Sequence, residues 1–462
     1  MNSRQRVLAA VNHQEPDRVP LDLGTSDTFV AREVYEGMAA ILGIEPTAAK
    51  GVAHPGAFVT PDEKMLEILG IDVRLVNAPP RKGVPSPWDP PPVEEVLPDG
   101  TKQWTYRDGR INRQPAGASD VQLYQPAITG DLTEGEIDRV FPASGPYGPP
   151  ARDWVDAEPM RDAIRRWQRG MGVSPMSPTG VPPVSDVSSS SPYSSPSLKQ
   201  QKEKQQQDRA GTALERMGKM PMPHAGETPA THADKMSATH YGPYAVQCNF
   251  IIMPHCFTGF GPLSFERWAV ELVLNPELIC RLMDAMLEHL FAGGESFYKA
   301  AGADMDLVYG LGDDVATHTN MWLSPVDYRR YIKPRHARII QYIKKRTNAK
   351  IIHHCCGACG DIIGDLIEIG VDVLNPTQTS AAGMDPFELK RRFGKDITFW
   401  GGIDVIHLLP KGTTAEVERE VKRHIDALAP GGGYVFSPSH IIQRFTPPEN
   451  VLTMYRVARE HH

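Results

Sequence analysis

The sequence predicts a (β/α)₈ TIM barrel with an amino-terminal extension and a disordered insertion. From Tyr244 onward, short β-branched or apolar runs alternate with amphipathic helical stretches, a pattern typical of a parallel sheet built from βα units. Two more strand-like runs precede Tyr244, which makes eight units. Eight units favour a closed barrel over an open doubly wound sheet, which is the alternative architecture. The length of 462 residues exceeds what one barrel needs and leaves room for the additions.

The predicted strands and helices follow from the positions of the apolar runs. The strands are Arg18–Leu23, Ile71–Asn77, Ala245–Met253, Met305–Leu311, Lys350–His354, Val371–Pro376, Ile397–Asp404 and Gly433–Ser437. The helices are Phe29–Leu42, Pro276–Ala300, Pro325–Thr347, Asp361–Ile369, Pro386–Phe393 and Thr414–Leu428. Thr413 or Thr414 is expected to cap the last of these helices, and Pro430 with the glycines after it ends the helix.

Two segments depart from the alternating pattern. Lys82–Gln125 is rich in Pro and Trp, and its Pro98-Asp99-Gly100 turn separates two runs that can pair as a hairpin. Between residues 171 and 240, Ser and Pro dominate one part and Lys, Glu and Gln another. Such a composition buries too little apolar surface to offset chain entropy. We therefore expect 1–462 to form a single barrel domain with a disordered insertion at 171–240.

The composition excludes several classes of function. The chain carries 49 basic and 56 acidic residues, a net charge of −7, without an extended basic run, which argues against nucleic-acid and membrane partners. Met1–Val11 lacks the features of a secretory signal, and no stretch of eighteen apolar residues follows, so we expect a cytoplasmic protein. Three of the six cysteines are Cys355, Cys356 and Cys359, a crowding that favours a metal or redox site over disulfides.

The strongest candidate site lies where the strand Lys350–His354 ends. Residues two apart in an extended chain face the same side, so His354 and Cys356 should point together from the carboxyl end of a barrel strand, where barrels keep their active sites. An imidazole and a thiolate suit zinc, with one further protein ligand and an open position for substrate. Cys356 and Cys359 also form a Cys-x-x-Cys pair, which allows a dithiol redox site or half of a structural zinc site. Simple packing of these cysteines is the remaining interpretation.

Other polar residues follow strand ends elsewhere in the chain. His440 comes just after the last predicted strand and could supply the third metal ligand or a proton donor. Asp313 and Asp314, Asp404 and His255 are candidates for substrate binding or for orienting a metal ligand. Any of the aspartates could instead cap the helix that follows it.

Several motifs together resemble the uroporphyrinogen-decarboxylase-like superfamily. They are His354-Cys355-Cys356-Gly357, Asp372-Val373-Leu374-Asn375-Pro376, Phe399-Trp400-Gly401-Gly402-Ile403-Asp404 and Thr446-Pro447-Pro448-Glu449-Asn450, preceded by Pro16-Asp17-Arg18-Val19-Pro20. The decarboxylases of this superfamily carry a Met-Arg-Gln-Ala-Gly-Arg motif after the first strand. Here the corresponding segment, Leu21–Asp27, contains no arginine.

The His-x-Cys pair resembles the cobalamin-dependent methyltransferase branch, whose members bind zinc through His-x-Cys and a later cysteine. At the position of that cysteine this chain has His440. The resemblance implies zinc bound by His354, Cys356 and His440. It also implies methyl transfer between a methylcorrinoid co-substrate on a partner corrinoid protein and a small acceptor, a thiol or a reduced folate, in the demethylation of methylated compounds. The alternatives are a uroporphyrinogen decarboxylase and a non-catalytic barrel that binds a corrinoid or tetrapyrrole.

Overall fold

The computed structural model describes residues 1–25, 27–46, 58–77, 93–105, 111–114, 116, 122–140, 155–169, 244–252 and 262–461. The predicted insertion at 171–240 and the candidate His255 lie outside these residues, so the single domain with its insertion stays a prediction. Within the described part of the chain, no helix combines the length and the apolarity that crossing a membrane requires.

Strands and helices alternate along most of the described chain. The strands are β1 (Val30–Ala31), β2 (Phe58–Val59), β3 (Val73–Asn77), β4 (Val93–Val96), β5 (Lys102–Thr105), β6 (Ile111–Gln114), β7 (Gln122–Gln125), β8 (Ala245–Ile252), β9 (Leu307–Gly312), β10 (Lys350–His354), β11 (Val373–Thr377), β12 (Thr398–Ile403) and β13 (Tyr434–Pro438). The helices are α1 (Ser3–Val11), α2 (Arg32–Leu42), α3 (Glu63–Leu69), α4 (Glu134–Val140), α5 (Ala157–Arg169), α6 (Phe265–Leu274), α7 (Pro276–Ala301), α8 (Pro325–Asp327), α9 (Lys333–Lys344), α10 (Ile363–Ile369), α11 (Pro386–Phe393), α12 (Leu408–Lys411), α13 (Thr414–Leu428) and α14 (Pro448–Glu460).

Seven strands form one parallel sheet in the spatial order β13-β12-β11-β10-β9-β8-β3. Leu21 lies between the two outer strands: it pairs in parallel with Phe436 of β13, and its carbonyl oxygen accepts the N–H of Asp72, just before β3, at 2.9 Å. The sheet is therefore closed, which confirms the predicted barrel and excludes the open sheet.

The first predicted strand, Arg18–Leu23, is wrong as a continuous strand, because only the bridge at Leu21 is present. Proline has no N–H to donate, so Pro20 interrupts the ladder, although its carbonyl oxygen accepts the N–H of Phe436 at 2.9 Å. The strands predicted after Tyr244 agree with the observed bounds to within two residues, and β10 matches the prediction.

The barrel interior is filled by a compact apolar cluster to which α1 contributes. The cluster consists of Val7, Val11, Val73, Ala245, Leu307, Tyr309, Ile352, Val373, Trp400 and Val435. Val73, Ala245 and Leu307 are the first residues of β3, β8 and β9, so α1 covers the amino ends of the strands. The opposite, carboxyl ends remain available for a site.

The predicted helix Pro325–Thr347 is interrupted. After α8 the chain forms a π-helical turn over Tyr328–Ile332, and α9 begins at Lys333. Pro334 explains the break, because it cannot donate the backbone hydrogen bond that a continuous α-helix needs at that position. The capping prediction for α13 is confirmed, since the Thr413 side chain accepts the N–H of Glu416 in a capping box.

A separate antiparallel sheet interrupts the barrel pattern between β3 and α4. Its strands pair in the order β4-β5-β6-β7. The turn between β4 and β5 contains Gly100 at φ +81°, and the N–H of Leu97 donates to the carbonyl oxygen of Thr101 at 2.8 Å. The hairpin predicted at Pro98-Asp99-Gly100 is therefore confirmed.

Replacing Asp72 by alanine should destabilise the barrel by about 3 kcal/mol, because the buried Asp72 carboxylate binds Arg6 and Arg18, each at 2.7 Å, and the N–H of Leu21 at 3.0 Å. Urea unfolding measures the change. The control is Asp17→Ala, which removes a partner of Arg6 that is 41% exposed and should cost about 1 kcal/mol or less. Equal losses in the two variants would show that Asp72 does not hold the closure.

Candidate metal centre

Three side chains that the sequence singled out lie together at the carboxyl ends of the barrel strands. His354 ends β10, Cys356 follows two residues later, and His440 lies two residues after β13. One ligand atom from each of the three falls within 4.8 Å of the others, and the ring centroids of His354 and His440 are 6.1 Å apart. Residues distant in sequence thus meet because parallel strands bring their carboxyl ends to one edge.

The His354 ring is contacted at both of its nitrogens. Its Nε2 lies 3.3 Å from Sγ of Cys356. Its Nδ1 lies 3.0 Å from Oδ2 of Asp27 and 3.2 Å from Oδ1 of Asn375. The hydroxyl of Tyr309, on the neighbouring strand β9, donates to the same Asp27 oxygen. The ring is therefore held by carboxylate and amide oxygens on one side and faces the thiol on the other.

Burial and neighbouring charge oppose each other in this cluster. Burial disfavours the imidazolium, but the Asp27 carboxylate and Cys356 outweigh it and raise the pKa of His354 well above its ordinary value. Burial likewise opposes ionisation of Asp27, yet attraction to His354 lowers the pKa of that carboxyl. Burial raises the pKa of Cys356 despite the opposing effect of His354, and burial lowers the pKa of His440.

The turn that carries Cys356 is fixed through its backbone. The N–H of Cys356 donates to Oδ1 of Asp314 at 2.7 Å, and the N–H of Gly357 donates to Oε1 of Gln378 at 2.8 Å. Gly357 adopts φ +85°, and a Cβ there would lie 2.4 Å from the carbonyl oxygen of Thr317. The turn therefore requires glycine after the cysteine, and Asp314 lies at the site as a support for Cys356.

The remaining candidates have other surroundings. Asp313 is fully buried and lies 3.0 Å from Nε2 of His336, and burial raises the pKa of its carboxyl well above the ordinary value. Asp404 accepts the N–H groups of Ile406 at 2.7 Å and His407 at 3.3 Å in the turn before α12, whose N-cap residue is His407. The structure does not bring Asp313 into the His354 cluster, because successive residues face opposite sides at this strand end.

The two other cysteines of the motif are buried beside one another. The Sγ of Cys359 lies 3.9 Å from the carbonyl oxygen of Cys355, and both side chains are fully buried. Neither belongs to the group of close ligand atoms formed by His354, Cys356 and His440.

Three residues of the cluster were missed from the sequence. Asp27 follows the interrupted first strand, and its polar position past a strand end was the available indication. Tyr309 alternates inward on β9, and Asn375 is the polar residue inside the apolar strand β11. Their role depends on which strands are neighbours, and single-strand patterns do not give that information.

The donor set fits a zinc ion. With bonds of about 2.3 Å to sulfur and about 2.0 Å to nitrogen, tetrahedral coordination separates a sulfur and a nitrogen ligand by roughly 3.5 Å. The 3.3 Å between Sγ of Cys356 and Nε2 of His354 agrees with that spacing. Two imidazoles and one thiolate are ligands that zinc accepts, and three protein ligands leave the fourth position open.

The loop that carries Asp27 is organised by a buried carboxylate. Oδ2 of Asp22 accepts the hydroxyls of Thr25 at 2.8 Å and Thr28 at 3.2 Å and the indole N–H of Trp400 at 3.0 Å. Asp22 is fully buried, and burial raises the pKa of its carboxyl to about 6. Both ends of the loop are thereby tied to the barrel interior.

Comparison with known proteins shows which family the carboxyl-terminal part of the chain resembles. Residues 247–461 match the family model described as uroporphyrinogen decarboxylase (URO-D). This part of the chain is therefore similar to the uroporphyrinogen decarboxylase family. The uroporphyrinogen decarboxylase of Thermus thermophilus is 31% identical over 197 residues, which cover 41% of this chain and 50% of that protein. The enzyme of a Geobacter species is 33% identical over 216 residues, 46% of this chain and 56% of the relative.

A solved structure shares the fold over the length of the chain. The methyltransferase from Methanosarcina mazei aligns with 100% of this chain and 99% of its own, with a TM-score of 0.51 and 15% sequence identity. At that identity the likeness shows the fold alone. By contrast, the chain spans about half the length of the curated uroporphyrinogen decarboxylases that it matches.

The stability of the protein should depend on pH through Asp22. Its folded-state pKa of about 6 lies above the roughly 3.9 of an unfolded aspartate, so the folded protein binds the extra proton between these values. Stability should therefore fall by up to about 3 kcal/mol as the pH rises from about 4 to about 7.

Asp22→Asn should remove the part of the pH dependence of stability that comes from the Asp22 carboxyl. Urea unfolding at several pH values in this range measures it, and Asp138→Asn, at an exposed carboxylate, should keep the slope of the unaltered protein. The same pH dependence in Asp22→Asn and in the unaltered protein would contradict the assignment.

Proposed function

We propose that the protein is a zinc-dependent methyltransferase that moves a methyl group between a methylcorrinoid and a small acceptor, a thiol or a reduced folate. The observation that carries the proposal is the close group of His354, Cys356 and His440 at the mouth of the barrel. The methylcorrinoid would be presented by a partner corrinoid protein, and the setting would be the demethylation of methylated compounds.

In such a site, some residues of the protein would bind the metal ion and others would orient the ligands. The ion would be bound by His354, Cys356 and His440. The Asp314 carboxylate, which accepts the N–H of Cys356, would keep the thiol in place. When bound, zinc supplies Lewis acidity that lowers the pKa of an acceptor thiol toward neutrality. In the transfer, a bond forms between the acceptor sulfur and the methyl carbon while the cobalt–carbon bond breaks. The electron pair of that bond stays on cobalt, and the thiol proton is released to solvent.

The charge of the first-strand segment supports methyl transfer over decarboxylation of a porphyrinogen. A porphyrinogen carries several acidic side chains, and guanidinium groups are the usual partners of carboxylates. In this chain the segment Leu21–Asp27 has no arginine and instead brings the Asp27 carboxylate to the His354 cluster. A carboxylate there would repel an acidic substrate.

Decarboxylation of uroporphyrinogen is the second candidate, because the curated relatives that the chain matches carry that name. The two functions differ in their need for a metal. Conversion of a porphyrinogen by protein freed of metal would support the decarboxylase, whereas methyl transfer that returns only with added zinc would support our proposal. Tight binding of a corrinoid or tetrapyrrole with no product from either assay would favour a non-catalytic barrel.

Cys356→Ala and His440→Ala should each abolish stoichiometric zinc binding and demethylation of methylcobalamin by a thiol. The melting temperature should change little, because the ligands serve an open site. Metal analysis and the absorbance of the corrinoid measure the two effects. Cys359→Ala is the matched control, since Cys359 is fully buried and lies outside the ligand group. Its effects on zinc binding and demethylation should be mild. Loss of zinc and activity in Cys359→Ala as well as in Cys356→Ala would instead favour the Cys-x-x-Cys interpretation, and full retention of both in Cys356→Ala would contradict the proposed ligand set.

A further inference from the structure

We propose that Asp27 is a positioning residue for the metal ligand His354, and that Tyr309 holds the Asp27 carboxylate in place. The inference rests on the proposed function, because it assigns to the zinc site a carboxylate that orients one of its ligands. It concerns residues outside the His-x-Cys motif, on a segment more than three hundred positions earlier in the chain.

The contacts around Nδ1 determine which nitrogen of His354 can bind a metal. Oδ2 of Asp27 lies 3.0 Å from Nδ1, and Oδ1 of Asn375 lies 3.2 Å from the same atom. Both oxygens are acceptors, so Nδ1 carries a proton in this arrangement. When the ring gives up its other proton to bind a metal, the lone pair lies on Nε2, which faces Sγ of Cys356 at 3.3 Å. Asp27 thus selects the tautomer that makes Nε2 the ligand atom.

Tyr309 holds the same oxygen of the Asp27 carboxylate. Its hydroxyl donates to the Asp27 oxygen that faces His354, and its ring is 3% exposed within the apolar cluster of the barrel interior. The Asp27 side chain is 26% exposed, so it borders the site and is not part of the core. A carboxylate held between a rigid tyrosine and a histidine ligand has the arrangement of a carboxylate–histidine–metal relay, in which the carboxylate makes the imidazole a stronger ligand.

Hydrogen bonds within the loop on either side of Asp27 restrict the movement of its backbone. Asp22 ties Thr25 and Thr28 to the barrel interior, and the N–H of Gly24 donates to the carbonyl oxygen of Thr28 at 2.9 Å. Asp27 lies between these anchors. A side chain placed by fixed backbone loses less conformational freedom when it orients the ligand.

Cobalt(II) binding to the metal-free protein tests the inference without any assay of activity. The absorption bands of a tetrahedral cobalt–thiolate site report both affinity and geometry. Asp27→Ala should weaken binding about 10- to 100-fold. Asp27→Asn keeps the shape and an acceptor oxygen but loses the charge, so its loss of affinity should be smaller and measurable. Tyr309→Phe, which removes only the hydroxyl, should weaken binding by a few-fold.

Asp361→Asn is the matched control, because Asp361 is an exposed carboxylate five residues after Cys356 and should leave affinity and spectrum unchanged. Melting of each metal-free variant checks its fold. If folded Asp27→Asn and Asp27→Ala bind cobalt as tightly as the unaltered protein while Cys356→Ala does not, the positioning role is wrong and the proposed function survives. If Cys356→Ala also keeps its cobalt, or the unaltered protein takes up none, the metal site itself is wrong and the inference fails with it.

Discussion

The closure of the barrel at Leu21 is the constraint on which the rest of the structure depends. The buried Asp72 carboxylate, bound by Arg6 and Arg18, holds the segment around Leu21 between β3 and β13. The chain that continues from Leu21 then runs over the carboxyl ends of the strands, where β1 pairs with the segment after His440 through the N–H of Ala31 and the carbonyl oxygen of Ile442 at 2.8 Å. The segments that carry Asp27 and His440 are thereby brought to the edge where β10 ends. The candidate site therefore combines residues from the beginning, the middle and the end of the chain.

Most of the barrel could be predicted because its parallel strands are buried on both faces and produce short continuous apolar runs. The bounds of β10, α11 and α13 match the prediction. The differences from the prediction have local chemical causes that are visible in the sequence. Pro20 reduces the first strand to a bridge, and Pro334 divides the helix predicted over Pro325–Thr347. In both places an apolar pattern continues through a proline that the hydrogen-bond ladder does not tolerate.

The candidate site was predictable only to the extent that strand ends are recognisable. His354, Cys356 and His440 follow apolar strands, and the barrel topology alone is enough to bring such residues together. Asp27 was not predictable in this way, because its contact with His354 depends on where an irregular loop lies after a one-residue bridge. The different surroundings of Asp313 and Asp314 also lie beyond sequence patterns. A register shift between β9 and β10 precedes them, so the strand pattern alone does not determine which of the two aspartates faces His354.

X-ray absorption at the zinc K edge of the zinc-loaded protein tests the central claim most directly, because it counts sulfur and nitrogen ligands around the metal. The assignment of His354, Cys356 and His440 predicts one sulfur at about 2.3 Å, two imidazole nitrogens at about 2.0 Å with their outer-ring scattering, and one further light atom. Loss of the sulfur in Cys356→Ala and of one imidazole in His440→Ala would complete the assignment. Two sulfur ligands, or a shell of oxygen and nitrogen alone, would contradict it.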